Sequence, residues 1–163
     1  MNTLPIITKD GVFAASYSGN GLHHLDFPSR TDATPRPASI AATSKVRAWH
    51  RLTETAVRAV LAGKAIPALP PLDLSGGTDF QQRVWTALQR IPTGATESYG
   101  EIALKLGAAG AARAVGGACG ANPIPLLIPC HRVLAASRKL GGFSGGLDWK
   151  LKLLEREGVT FPA

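Results

Sequence analysis

A chain of 163 residues and 17.0 kDa, 45% hydrophobic, fills one sizeable core and a small second lobe but not two full domains, and its 18% charged fraction excludes general disorder. No stretch reaches the roughly 20 apolar residues of a membrane span, residues 1–10 lack the basic head and apolar core of a signal peptide, and two cysteines make neither a disulfide scaffold nor a four-cysteine zinc module, so a cytoplasmic setting without membrane contact is expected. The net charge of +7 and pI near 9.9 point to a polyanionic partner, the more so because Ile102 to Leu147 contains no Asp or Glu while Lys105, Arg113, Arg132, Arg138 and Lys139 fall there.

The runs Val12 to Tyr17 and Leu22 to Phe27, joined across Ser18-Gly19-Asn20-Gly21, predict a β-hairpin. A polar loop with Pro28, Pro35 and Pro37 follows. Ser44 is expected to cap a helix in which Val46, Trp49, Ala56, Val57, Val60 and Leu61 recur near helical spacing, and Gly63 to stop it. Ala65 to Gly77, with Pro67, Pro70, Pro71, Gly76 and Gly77, reads as a linker. The expected division is therefore a small α/β N-terminal lobe with its linker over 1–74 and a mainly helical C-terminal domain over 75–163.

Thr78-Asp79-Phe80-Gln81 is a capping-box pattern ahead of a helix that carries Phe80, Val84, Trp85 and Leu88 on one side and ends before Pro92. Ser98-Tyr99-Gly100-Glu101 repeats the start signal for a helix that buries Ile102 and Leu106 and ends at Gly107. A third helix, about Ala111 to Ala121, must stop before Pro123, so the second domain holds a helix-turn-helix and is winged-helix-like.

A helix that reads the major groove needs several long hydrogen-bonding side chains on one face, and this third helix offers only Arg113 among Ala, Gly, Val and Cys. A helix stripped to Ala and Gly suits close approach to the narrower minor groove, with Arg113 free to enter the base stack. The alternative is that Gly116, Gly117 and Gly120 permit close helix packing inside the protein and Arg113 is a solvated charge.

In Pro125-Leu126-Leu127-Ile128-Pro129-Cys130-His131-Arg132-Val133 two prolines bracket an apolar run that is expected to be extended and to deliver a cysteine beside a histidine. On a strand, neighbouring side chains point to opposite faces, so Cys130 and His131 cooperate only through a local bend or a bridging water. An inert buried cysteine beside a satisfied histidine is the plain alternative. The final helix, about Leu147 to Glu157, is expected to bury Leu147, Leu151 and Leu154. It places Glu157 in its last turn, where the helix dipole disfavours an anion. Such a carboxylate calls for a cationic or donor partner. If that partner is His131, the set is carboxylate, imidazole and thiol, the three-part logic of nucleophilic catalysis; otherwise Glu157 is a solvated helix-end charge.

Pro129-Cys130-His131-Arg132-Val133, preceded by Ala112-Arg113-Ala114-Val115-Gly116-Gly117 and Asn122-Pro123 and followed by Ser144-Gly145-Gly146 and Glu157-Gly158, resembles the O6-alkylguanine-DNA alkyltransferase family. The likeness runs from about Gly77 to Gly158; over the first 75 residues it is one of layout. It implies repair by direct damage reversal, in which Cys130 irreversibly takes the alkyl group from guanine O6, or from O4-alkylthymine, once per molecule. His131 would act as base through a water, Glu157 would orient His131, Asn122 would hold the active-site turn, and Tyr99 would donate to the departing guanine. Arg113 would fill the gap left by the flipped nucleotide, with Ser98, Ala112, Ala114, Gly116 and Gly117 beside it against DNA. Val133, Phe143 and Ser144 would line the base pocket, the carbonyls of Cys130 and Val133 facing the guanine amine and the Ser144 amide facing O6. No cofactor is implied, and the partner would be double-stranded DNA bound by a monomer through the minor groove, largely without regard to sequence.

Two positions depart from the family's pattern: Gly120 stands where relatives are often basic, and Phe143 where tyrosine is frequent. Some relatives bind zinc in the first lobe, which here has no cysteine and only His23, His24 and His50, so no metal is expected. Two other functions compete with repair. A lesion sensor would flip and bind the base without transfer, although in such sensors tryptophan replaces the cysteine. A Cys-His hydrolase would turn over without needing Arg113 or a basic helix-turn-helix.

Overall fold

A computed structural model of the chain describes residues 2–29, 42–143 and 145–160. Three antiparallel strands open it, β1 (Asn2–Thr8), β2 (Gly11–Ser18) and β3 (Gly21–Asp26), with β2 in the middle. The expected hairpin is β2–β3. β1 is an addition to it, hidden in the sequence because Pro5 interrupts its apolar run; an edge strand tolerates a residue that cannot donate to the ladder. Alternation along β2 sends Phe13, Ala15 and Tyr17 into the core.

Helix α1 (Ser44–Leu61) lays Val46, His50, Thr53, Ala56, Val57, Val60 and Leu61 inward. Its cap is Thr43 rather than Ser44: Thr43 has extended dihedrals and its hydroxyl accepts from the Val46 amide at 3.2 Å, so Ser44 is already helical. Of the proline-bearing loop, Pro35 and Pro37 lie outside the described residues.

The segment expected to be a linker is stitched to the sheet. The Leu22 amide donates to Pro71 O and the Asp73 amide to Leu22 O, both at 2.8 Å, and Leu72 pairs with Leu22 as a parallel bridge. Gly21 permits this, since its φ is +147° and a Cβ there would lie 2.4 Å from Pro71 O.

Helix α2 (Asp79–Leu88) starts from the Thr78–Gln81 capping box, and α3 (Tyr99–Lys105) from the Ser98–Glu101 box. A short turn leads to α4 (Ala112–Gly120), completing the helix-turn-helix, and the Trp85 indole N–H pins α2 to α4 through Ala118 O at 2.8 Å. Strands β4 (Glu97–Ser98) and β5 (Val133–Leu134) pair in parallel, and α5 (Leu147–Arg156) closes the chain.

Two further local expectations fail. Residues 125–128 turn rather than extend: Leu126 sits at φ 73° and the Ile128 amide donates back to Ile124 O at 2.9 Å. A leucine in the left-handed region costs about 1–3 kcal/mol. The Asn122 amide group offsets that strain, its Oδ1 accepting from the Ile124 amide at 3.0 Å and its Nδ2 donating to Ile128 O at 2.8 Å. In α5 the inner face is Lys150, Leu153 and Leu154, while Leu147 and Leu151 are 49% and 36% exposed. The helix is rotated from the expected stripe because Lys150 turns inward to meet three carbonyls.

The molecule is thus an α/β N-terminal lobe followed by a mainly helical part, and buried residues of both, from Phe13 and Val57 to Leu88, Ile128 and Leu153, form one continuous cluster. No helix among the described residues is long and apolar enough to cross a membrane.

Candidate active site

Cys130 begins a single 3₁₀ turn, Cys130–Arg132, between the Asn122-held turn and β5. At about three residues per turn, successive side chains diverge by roughly 120° instead of a strand's 180°, and this is the local bend that adjacency of Cys130 and His131 required. Cys130, 4% exposed, lies on the wall of a cavity of about 720 Å³. Ser98, Tyr99 and Gly100 from the start of α3, Ala112, Arg113, Gly116, Cys119 and Gly120 from α4, and Ala135, Ala136, Gly142 and Phe143 complete that wall.

His131 is fully buried, and its Nε2 lies 2.7 Å from Glu157 Oε2. The Glu157 side chain is wholly buried and also accepts from Arg132, Nε at 2.7 Å and Nη2 at 3.2 Å. Burial pushes the carboxyl's pKa up, but the hydrogen bonds from His131 and Arg132 and their charges outweigh it and hold Glu157 at about 2. An ionised carboxylate only accepts, so His131 Nε2 carries the proton. Burial holds the imidazole's own pKa below its ordinary value against the pull of Glu157, so the ring is neutral and Nδ1 presents a lone pair. Nδ1 is buried and has no hydrogen-bond partner among the described residues. A base of defined tautomer thus stands one residue from the thiol.

Burial pushes the Cys130 thiol up from its ordinary value, while the Asn122 amide and the charge on Lys150 act the other way. Lys150 and Arg132 are the residues that sequence reasoning missed. The Lys150 ammonium is buried and donates to Val133 O at 2.7 Å, Gly142 O at 3.1 Å and Leu140 O, tying together the loop that carries part of the cavity wall. Burial brings its pKa down to about 8. A signal was present: Lys150 lies four residues before Leu154, on the same helix face. Arg132 carried none, and it is locked by Ile91 O at 2.7 Å and the Thr93 hydroxyl at 3.2 Å.

Charge on the surface is accordingly narrower than the sequence count implies. Arg132 is inside and Lys105 is paired with Glu97. Arg113 is exposed on α4 together with Ala114, Gly117 and Gly120. A Cβ at Gly117 or Gly120 would meet nothing within 4 Å among the described residues, so packing inside the protein is not what these two glycines serve. Gly116 is different, since a Cβ there would lie 4.0 Å from the Tyr99 ring.

Of the expected site residues, the cavity unites Cys130, Tyr99, Ser98, Ala112, Arg113, Gly116 and Phe143. His131, Glu157 and Asn122 are buried behind or beside it, and Ala114 and Gly117 continue the α4 surface. Val133 is fully buried and off the cavity wall, its carbonyl already accepting from Lys150. Ser144 lies outside the described residues. The Ser98 hydroxyl is engaged as a helix cap, accepting from the Glu101 amide at 3.0 Å. Burial raises the Tyr99 pKa, keeping its phenol protonated as a donor. Among the described residues no group of three or more His, Cys, Asp and Glu side chains is placed to hold a metal ion.

The sequence of residues 79–159 matches the family model described as "6-O-methylguanine DNA methyltransferase, DNA binding domain". Methylated-DNA–protein-cysteine methyltransferase of Mycobacterium tuberculosis is 50% identical over 137 residues, covering 83% of this chain and 76% of the relative. Its namesake in Haemophilus influenzae is 40% identical over 149 residues, 88% of this chain and 78% of the relative. The crystal structure of M. tuberculosis OGT in complex with DNA superposes with a TM-score of 0.73 at 46% identity, covering 94% of this chain and 90% of that one.

Proposed function

Because the chain belongs to the family of methylated-DNA–protein-cysteine methyltransferases, we propose that it repairs DNA by direct reversal, moving the alkyl group of O6-alkylguanine irreversibly onto its own Cys130. The observation that carries this reading is Cys130 on the wall of a base-sized cavity, one residue from a buried imidazole whose tautomer Glu157 sets.

The thiol proton passes to His131 Nδ1 through a bridging water, and the imidazolium is stabilised by Glu157. The thiolate attacks the alkyl carbon, so an S–C bond forms as the C–O6 bond breaks and guanine leaves with the electron pair. Tyr99 gives the departing base a proton and is reprotonated from solvent, while the His131 imidazolium returns the thiol's proton to solvent. The thioether on Cys130 is a poor leaving group, so each molecule reacts once. What the protein supplies is alignment, a deprotonated sulfur and a donor for the leaving group.

The protein binds DNA. Its base target is inaccessible inside a duplex, and extrusion costs a few kcal/mol, least for a mispaired lesion. We place the α4 face of Arg113, Ala114, Gly117 and Gly120 in the minor groove, Arg113 filling the gap left by the base, with one protein molecule per site and no sequence preference. In this arrangement residues 75–163 carry DNA contact and transfer, and residues 1–74 support them.

The test is the intact mass of the protein after mixing with a duplex containing O6-methylguanine. One methyl group in place of one proton, mapped to Cys130, is the expected result. Binding with no change in mass would make it a sensor, and sustained turnover with excess damaged DNA would remove the single-use mechanism. Cys130→Ser is expected to lose transfer and keep DNA affinity, since an alcohol is far less ionised than a thiol at neutral pH.

A further inference from the structure

Glu157 stands one residue beyond α5, where a helix end would ordinarily fray. Its carboxylate nevertheless meets His131 and Arg132 at 2.7 Å. The backbone that carries it is gripped from the first lobe. Arg156, next to it in the chain, makes a two-pronged pair with Asp10 in the β1–β2 turn, at 2.7 and 2.9 Å, and donates to Leu61 O at the end of α1 at 3.0 Å. Gly63 lies so near that a Cβ there would stand 2.1 Å from Arg156 O, and one at Gly94 would stand 3.2 Å from Glu157 O. Three separate segments therefore converge on two peptide units.

We propose that Asp10, acting through Arg156, is a positioning residue for alkyl transfer: the first lobe holds the end of α5 so that Glu157 meets His131 in the geometry that draws the proton from Cys130. This rests on the assignment of Cys130 as acceptor and of Glu157 as the group orienting His131. Misplacement of a reacting group by about 1 Å costs up to two orders of magnitude in rate. The Asp10–Arg156 pair is partly exposed and contributes little to stability, so removing it leaves the fold in place while freeing the helix end.

Asp10 also feels Lys152 and Lys9, and Glu157 is faced by His131 and Arg132 alone of the charged groups that bond it. Cys130 is faced by Asn122, by Lys150 from α5 and by Cys119 from α4, with Tyr99 from α3 nearby. These last groups titrate alike in every variant, so differences between pH profiles report on the clamp.

The experiment is single-turnover transfer between about pH 6 and 9 for the full-length parent, Asp10→Ala, Asp10→Asn, Glu157→Gln and the Asp10→Ala/Glu157→Gln double variant. Both free O6-benzylguanine and an O6-methylguanine duplex serve as substrates, with duplex affinity and Tm measured alongside. Asp10→Ala is expected to be about three- to tenfold slower at neutral pH on both substrates, with the deficit shrinking as pH rises and duplex affinity unchanged. Asp10→Asn falls between, because its amide oxygen still accepts from the guanidinium. In the double variant Asp10→Ala adds almost nothing to the loss caused by Glu157→Gln. A profile identical to the parent's, a deficit equal at every pH, or full additivity in the double variant overturns the proposal. Absence of transfer by the parent would instead overturn the function on which it rests.

Discussion

Arg132 and Glu157 bury one charge each, and their pairing leaves His131 neutral beside them with its proton on Nε2. If the carboxylate's role is to fix that tautomer and stabilise the imidazolium, Glu157→Gln keeps the shape and loses the charge. Single-turnover rates at neutral pH are expected to drop at least tenfold, in the range that a general base contributes, with partial recovery as rising pH ionises the thiol unaided. Duplex affinity is expected to stay near the parent's, and equal rates at pH 7 would return Glu157 to an ordinary helix-end anion. This partnership was legible in the sequence because an anion at the wrong end of a helix needs a partner. Arg132 was not, because charged side chains are almost never fully buried unless paired and its pairing exists only once Glu157 arrives from elsewhere in the chain, whereas Lys150 was marked by its place on the Leu154 face but not by the loop carbonyls that receive it.

Helix α4 separates two explanations of its glycines. Since a Cβ at Gly117 meets nothing in the protein, Gly117→Leu is expected to raise stability by about 0.5–1 kcal/mol through helix propensity. The same change puts bulk on the face assigned to DNA. A higher Tm together with weaker duplex binding is the expected pair of results, and unchanged affinity would take that face off the DNA. Arg113→Ala is expected to slow repair in a duplex much more than transfer to Cys130 from free O6-benzylguanine, because extrusion is needed only in the duplex. Helix starts were readable to the residue at Thr78 and Ser98, where both halves of a capping box lie within four residues. At residues 125–128 the same kind of reading failed, since the Asn122 side chain that folds the segment into a turn lies outside the apolar run it controls.

For the whole molecule, five groups among the described residues that titrate below neutral pH bind protons less readily folded than unfolded, Asp10 and His50 among them. Hydrogen bonds from Ser18 and Ser75 hold Asp73 at about 2, Glu157 is held at about 2, and buried His131 lies below its ordinary value. The unfolded chain therefore carries more protons from about pH 6.5 downward, so stability present at neutral pH is lost as pH falls, first through the two imidazoles and then through the three carboxyls. Tm measured from pH 7 to 3 is expected to fall steadily, and Glu157→Gln to show a shallower decline below about pH 5, where Glu157 of the unfolded parent takes up a proton that the folded carboxylate refuses. A flat profile would contradict the buried, ionised carboxylate. The two-lobed layout was legible from turn signals and helical periodicity. The seam between the lobes was not, because the Leu25–Pro123 hydrogen bond and the Arg156–Asp10 pair join residues 98 and 146 positions apart by geometry alone.

If the exposed face of α4, one arginine amid alanine and glycine, meets DNA as proposed above, it has a consequence for how damage is found. Long polar side chains would bond well to some base steps and poorly to others, making the energy along a duplex uneven and stalling a travelling protein at favourable stretches. In that arrangement a face with almost nothing to say to base edges would make the profile smooth, and attraction to phosphates would keep the protein on the strand as it slides. Where it halts is then decided by the DNA, at the pair whose base gives way most easily.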